Sequence, residues 1–387
     1  MYSESKRIEY LDSIRGLAAL FVLLSHITGT FAWPPAYFSC LNWPFLSILS
    51  EGKEAVAMFF VLSGFVLAKP YVATTGDQPA RKIFLPTFYL RRFTRIWVPW
   101  FAIFVASIGA RKFLFFQPPT DPPVTKWLSQ FWLAPLTAGD FFRQCAFSLH
   151  DASRQLLAQD WSLGIELKGS VLIPLFLWLA TGKRMVALLG LAAFFLAAVG
   201  TGQNYVSFIV GVLLAQHGDA WVRTLRQSSQ VVKMGLLFLG LLLYQGFSLT
   251  LNYYGEPAAY KVGWVISSLG CAGVLLVAFS SHTLQKILNH KILVLLGRVS
   301  YSVYLLQFII ILCALPPLIR LCNQAGIHDR LALFGLTIVA GVLLTVSLAA
   351  VTYRLIEVPA INLGHHLTKK IQQRWQNKSG KGNRRPD

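Results

Sequence analysis

Apolar residues run along this chain in blocks of about 20, the length a helix needs to cross a ~30 Å hydrocarbon core, and short polar stretches rich in Pro, Gly and charge divide them. Ten blocks are predicted to cross a membrane as helices: 14–32, 54–71, 96–112, 161–180, 185–202, 204–217, 233–251, 261–280, 295–319 and 331–356. The pattern therefore predicts an all-α fold, a polytopic transmembrane helical bundle of about ten spans. It divides the chain into an N-terminal segment 1–13, a transmembrane domain 14–360 and a basic tail 361–387. The block at 204–217 is short and leans on its neighbours, so nine and eleven crossings stay open. The first block is expected to remain in the mature protein, because Asp12 and Arg15 intrude on its start and no small-x-small cleavage pattern follows.

Composition closes off the soluble alternative: 55% of the 387 residues are hydrophobic and 13% charged. The net charge of +19 then reads as topology. With ten spans and the N- and C-termini in the cytoplasm, cytoplasmic segments collect most of the 35 Lys and Arg residues, as the positive-inside rule requires. The basic loop 69–95 and the tail from Lys369 to Arg385 are expected to lie against anionic lipid headgroups of a plasma or bacterial inner membrane. Nucleic acid is not expected as a partner, since no stand-alone soluble domain offers a basic face. Residues 377–387 are polar and basic and are expected to be disordered. Cys40 and Cys145 fall on predicted external segments and can pair, whereas Cys271 and Cys313 sit in spans. No metal-ligand spacing appears, and no metal site is expected.

Ionisable and polar residues inside the spans carry the candidate chemistry, because a charge at bilayer depth costs roughly 3 kcal/mol or more and marks a functional site by default. Arg15 and His26 lie eleven residues apart, which returns them to within about 20° of one helical face with ~16 Å of axial separation. Ser63 and Gly64 fall near mid-depth of the second span, either as a close-packing pair or as groups lining a channel. Arg92 and Arg95 share a face at the entry of the third span, where they are either phosphate ligands or positive-inside anchors. In the run Asp160-Trp161-Ser162-Leu163-Gly164-Ile165-Glu166, Glu166 sits about two turns into the fourth span, and a buried carboxylate needs a partner or a proton. Tyr301 and Gln307 occupy the ninth span, and Arg354 with Glu357 reads as an i,i+3 lock at the end of the tenth. The external stretch 113–160 places Trp127, Phe131 and Trp132 among Asp140, His150, Asp151 and Asp160. That composition suits either a carbohydrate or an interfacial helix.

Six of these runs, in this order, resemble the acyltransferase-3 family of integral membrane O-acyltransferases: Leu11-Asp12-Ser13-Ile14-Arg15-Gly16 with His26, Phe59-Phe60-Val61-Leu62-Ser63-Gly64, Arg92-x-x-Arg95, Trp161-Ser162-Leu163 with Glu166, Ser300-Tyr301-Ser302, and Glu357-x-Pro359. The resemblance covers residues 8 to 362. It implies transfer of an acyl group, commonly acetyl, from acetyl-coenzyme A or another acyl-coenzyme A as co-substrate to a hydroxyl of a surface or exported glycan or glycolipid, with no permanently bound cofactor. On that reading His26 is the general base, its ordinary pKa of about 6.5 suiting the task near neutrality. Glu166 orients or recharges His26 or positions the sugar. Arg15, Arg92, Arg95, Ser63 and Gly64 serve the donor; Trp127, Trp132, Asp160 and Trp161 serve the acceptor; Tyr301 and Gln307 orient. A covalent intermediate on Ser63 or His26 stays open beside direct transfer. Two positions depart from the family: Gln307 stands where a histidine is frequent, and Leu167, Lys168 and Gly169 follow Glu166 where an acid or amide and an aromatic are frequent. An amide at 307 can orient by hydrogen bonding but cannot take a proton. The rival class is a transporter or flippase using Arg15, His26 and Glu166 as a relay; a second enzyme reading moves the acyl group to a small lipophilic molecule.

Overall fold

The computed structural model describes residues 8–34, 37, 47–72, 83–115, 117–197 and 202–381. Among them each predicted block carries a helix, and the only strand-like pairing is one antiparallel bridge between Phe31 and Val124. The longer helices are α1 (Glu9–Thr28), α2 (Gly52–Ala68), α3 (Leu85–Phe113), α4 (Asp160–Leu179), α5 (Met185–Ala197), α6 (Gln203–Gln227), α7 (Gln230–Tyr244), α8 (Trp264–Ser280), α9 (Lys291–Cys313), α10 (Arg330–Thr352) and α11 (Val358–Lys381). Local chemistry sets their starts. Ser229 and Asp329 cap α7 and α10 by accepting the Val232 and Ala332 amides, and Glu9 and Asp12 place negative charge in the first turn of α1, where the helix dipole favours it.

Seven helical stretches are long and apolar enough to cross a membrane, and α7 with its continuation Gly246–Tyr254, bent by 47°, makes an eighth. The other two predicted crossings fall short for different reasons. Helix α5 has 13 residues, and α6, with 25, carries Gln216, His217, Asp219, Arg223 and Arg226 along its second half. Outward-facing Val186, Val231, Leu295 and Leu343 are exposed, a surface that suits lipid acyl chains.

Small residues bring the central helices together, as expected where lipid removes the hydrophobic drive between helices. Helices α1 and α9 run side by side in the same direction, and a Cβ added to Gly16 would lie 2.6 Å from the Gly297 nitrogen. Gly64 on α2 meets Gly211 on α6, where an added Cβ would lie 2.9 Å from the Gly64 Cα and run into the Val61 carbonyl. Helix α8 joins this pair through Ser268, hydrogen-bonded to Ser207 at 2.7 Å, and through Trp264, whose indole donates to the Ser207 hydroxyl at 2.9 Å.

Several expectations change. The third crossing belongs to a helix that begins at Leu85 rather than 96, so Arg91, Arg92 and Arg95 lie in its first half, inside α3. The extension is held by α11: Arg91 Nε donates to Thr368 Oγ1 at 3.2 Å, and the Phe84 and Trp375 rings lie 5.5 Å apart. Residues 377–381 are helical rather than disordered, and the expected domain boundary after residue 360 falls inside α11. Glu357 accepts from the Ser302 hydroxyl on α9 at 3.0 Å while Arg354 is exposed, so the lock joins two helices. Cys40, residues 73–82 of the basic loop and residues 382–387 of the tail lie outside the described residues.

Gly211→Val drives a branched side chain into the α2 backbone, and overpacking of this kind costs about 1–3 kcal/mol or more. Thermal unfolding in detergent should show a Tm several degrees lower, whereas Gly190→Ala, whose Cβ meets open space, should melt as the parent. Equal melting of both variants would contradict the close α2–α6 contact.

Candidate active site

Five helices deliver polar side chains to one cavity of about 100 Å³: Arg15 from α1, Ser63 from α2, Arg92 and Arg95 from α3, Glu166 from α4 and Tyr301 from α9. Arg92 is engaged through two of its three guanidinium nitrogens. Its Nη2 donates to Glu166 Oε1 at 2.8 Å and to Ser63 Oγ at 3.2 Å, and its Nε donates to Ser170 Oγ at 3.0 Å. Arg15 donates to Asp12 Oδ1 at 3.0 Å, one turn earlier on α1. Arg95 has no hydrogen-bond or ion-pair partner among the described residues. Three guanidinium groups thus face two carboxylates, and the surplus positive charge sits on Arg95. The Tyr301 hydroxyl donates to the Ile96 carbonyl at 2.6 Å, fastening α9 to α3 just before Pro99.

A second cavity, of about 460 Å³, is lined by His26 together with Ser25, Lys53, Trp127, Phe131 and Trp161. The chain after α1 builds its roof. Ala32 N donates to the Pro123 carbonyl and Thr125 N to the Thr30 carbonyl, both at 2.9 Å, and the Thr125 hydroxyl donates to the Gly29 carbonyl at 2.7 Å. Thr125 also caps the turn Lys126–Ser129, which sets the Trp127 indole over the His26 ring with centroids 5.3 Å apart and planes at 24°. His26 Nδ1 lies 3.3 Å from Gln307 Oε1, while Gln307 Nε2 donates to the Tyr304 carbonyl at 3.0 Å. Because the amide nitrogen is committed to a carbonyl, its oxygen faces the imidazole. Nδ1 therefore carries the proton, and Nε2 keeps its lone pair.

The two cavities share Val56 and Tyr304 in their walls. Tyr304 is held on several sides: its hydroxyl lies 2.5 Å from Ser162 Oγ, and its carbonyl also accepts from Gln159 Nε2 at 3.0 Å. The arrangement can bind an anion at one end and present a neutral base at the other, with Val56 and Tyr304 between the two.

Some predicted residues are placed elsewhere. Glu166 pairs with Arg92 in the arginine cavity, not with His26, and Gln307 is the residue that orients the imidazole. Gly64 faces α6, away from the cavity. Trp132 is buried, donates from its indole to the Leu156 carbonyl at 3.2 Å and packs on Phe115 and Phe308, so it offers no face to an acceptor. Asp160 is likewise buried, accepting from Trp100 Nε1 and Gln144 Nε2, each at 2.7 Å. Lys168 is exposed on the opposite side of α4 from the cavity-lining Leu163 and Glu166. In the stretch 113–160, the Thr137 hydroxyl and backbone amide, aided by Arg154, hold the Asp140 carboxyl below the usual carboxylate range, as a helix cap does. Sequence reasoning missed Gln159, Ser162 and Ser170 as partners, and it missed Tyr304. The last was within reach, since it stands three residues before Gln307 and three after Tyr301 on one face of α9. No cluster of three or more metal-ligating residues occurs among the described residues.

The chain belongs to the acyltransferase-3 family, whose model, described as an acyltransferase domain, matches residues 8–354. It is similar to the O-acetyltransferase OatA of Staphylococcus aureus strains NCTC 8325 and COL, 22% identical over 392 residues covering 93% of this chain and 58% of each relative. The chain thus spans less than two thirds of those relatives. It is also similar to Protein 2 in picA locus of Rhizobium radiobacter, 29% identical over 197 residues, 49% of this chain and 93% of the relative. No solved structure matches.

The engagement of the two α3 arginines gives opposite expectations for stability. Arg92→Ala strands Glu166 and removes charge-assisted hydrogen bonds, at about 1.5–3 kcal/mol, so the purified variant should melt clearly below the parent. Arg95→Ala breaks no bond and should melt with it. A lower Tm for the Arg95 variant than for the Arg92 variant would contradict this assignment.

Proposed function

We propose that this multi-pass membrane protein is an O-acyltransferase that moves an acyl group, acetyl by analogy with the relatives named above, from cytoplasmic acyl-coenzyme A to a hydroxyl of an extracytoplasmic or exported glycan. The observation that carries the reading is the junction of an arginine-lined cavity and a histidine-lined cavity inside one bundle. Charge bias supports the orientation: the ends of α1, α3 and α9 that bear the arginines then face the cytoplasm of a plasma or bacterial inner membrane.

On this reading the donor's phosphates meet Arg95 and the open side of Arg15, which present planar charged donors. Arg92 holds the wall through Glu166 and Ser63. The thioester reaches toward Tyr304 and Val56, while the acceptor enters from the opposite side between Trp127 and Trp161, whose faces suit a sugar ring. His26 Nε2 takes the hydroxyl proton as the oxygen attacks the thioester carbonyl. A C–O bond forms, the C–S bond breaks, and the coenzyme A thiolate leaves and recovers the proton from the imidazolium. Gln307 keeps the ring in the productive tautomer, and Trp127 limits its rotation. A transport relay finds little support, because Glu166 is paired with Arg92 and His26 with Gln307.

His26→Gln retains a polar side chain near Gln307 but removes proton acceptance. Turnover of acetyl-coenzyme A with a glycan acceptor in proteoliposomes should fall by about 10²- to 10⁴-fold while binding of coenzyme A changes little. Near-normal transfer by a folded His26→Gln protein would overturn the base assignment.

A further inference from the structure

Two side chains form the boundary that the arginine and histidine cavities share, and their packing bears on which acyl groups the protein can use. Only Val56 and Tyr304 line both cavities. Val56, 4% exposed, is β-branched and stiff about χ1. Phe59, three residues on and lining the arginine cavity, meets the Tyr304 ring edge-on with centroids 5.9 Å apart. Tyr304 has little freedom to retreat. The Ser162 hydroxyl donates to the Gln159 carbonyl at 2.9 Å, so the Tyr304 hydroxyl is the donor in its 2.5 Å bond to Ser162. Gln159 and Gln307 both donate to the Tyr304 carbonyl, and Gln159 further donates to the Leu305 carbonyl at 2.8 Å.

We propose that Val56, braced against the fixed Tyr304 and Phe59 rings, forms a throat that sets the length of the acyl group presented to His26. A throat that cannot relax discriminates by volume, and one methylene in a close-fitting apolar site is worth about 10-fold or more in specificity. Val56 therefore acts on the acyl chain and not on the phosphates, which lie at the arginine end. The inference rests on the donor reading given above, and its own content is the identity of the residue that measures the chain.

The test uses the full chain in proteoliposomes with acetyl-, butyryl- and hexanoyl-coenzyme A and one glycan acceptor, following release of free coenzyme A thiol and binding of unacylated coenzyme A. The parent should use acetyl over butyryl. Val56→Ala removes two carbons, the number by which butyryl exceeds acetyl, and should raise the butyryl-to-acetyl ratio of kcat/KM by about 10-fold or more. Val56→Leu adds a carbon and should lower butyryl and hexanoyl use further while leaving binding of unacylated coenzyme A unchanged. It also carries the test where the alanine variant fails to fold. Transfer by the parent with an unchanged chain-length ratio in the folded variants would overturn the throat alone. No transfer by the parent from any of the three donors would overturn the donor reading and the throat with it.

Discussion

An arginine and a glutamate drawn out of water must satisfy each other, and the Arg92–Glu166 pair fixes the geometry of everything around it. Removing either partner would leave the other charge buried without its counter-ion, so α3 and α4 are held at the separation a 2.8 Å contact demands. Ser63 and Ser170 supply the remaining acceptors, which ties α2 into the same arrangement. The glycine contacts then act as spacers: Gly64 against Gly211 and Gly16 against Gly297 let the backbones approach until the polar groups meet. The pair neutralises Arg92 and leaves Arg95 as the guanidinium available to an incoming anion. Structural and ligand-facing charge are thereby divided between neighbours three residues apart.

The histidine end follows a different logic. His26 is held by a neutral amide and an indole face, and no carboxylate hydrogen-bonds to its ring. A carboxylate partner would stabilise the imidazolium and raise the basicity of the ring. Gln307 fixes the tautomer without adding charge to an apolar surrounding, and it passes the restraint on to Tyr304 through the same side chain. Gln307, at a position where the resemblance makes a histidine frequent, thus orients the His26 ring by hydrogen bonding without itself taking a proton.

Much of this was legible in the sequence, and what was not has a common cause. The eleven-residue spacing of Arg15 and His26 and the three-residue spacing of Arg92 and Arg95 are local, and helical geometry alone accounts for their lining the two cavities, while the mid-depth position of Gln307 sets it beside His26. Glu166 was recognisable as a carboxylate needing a partner, but its partner lies 74 residues away on another helix, and periodicity holds no record of that pairing. Trp132 and Asp160 misled for the converse reason. In isolation an aromatic and an acid at a membrane surface look available, and only tertiary packing shows the indole bonded to Leu156 and the carboxylate to Trp100 and Gln144. The start of α3 was placed late because apolar windows discount arginines, and the support from α11 is itself a long-range contact.

The central claim is that one continuous path joins the arginine cavity to His26 past Tyr304. A structure of the protein in a lipid nanodisc with a non-transferable thioether analogue of acetyl-coenzyme A measures it directly. The account predicts the diphosphate against Arg95 and Arg15, the acetyl group against Val56 and Tyr304, and its carbonyl carbon facing His26 Nε2. Phosphates bound at the Trp127 end, or an acyl group lodged away from the Tyr304 junction, would contradict it.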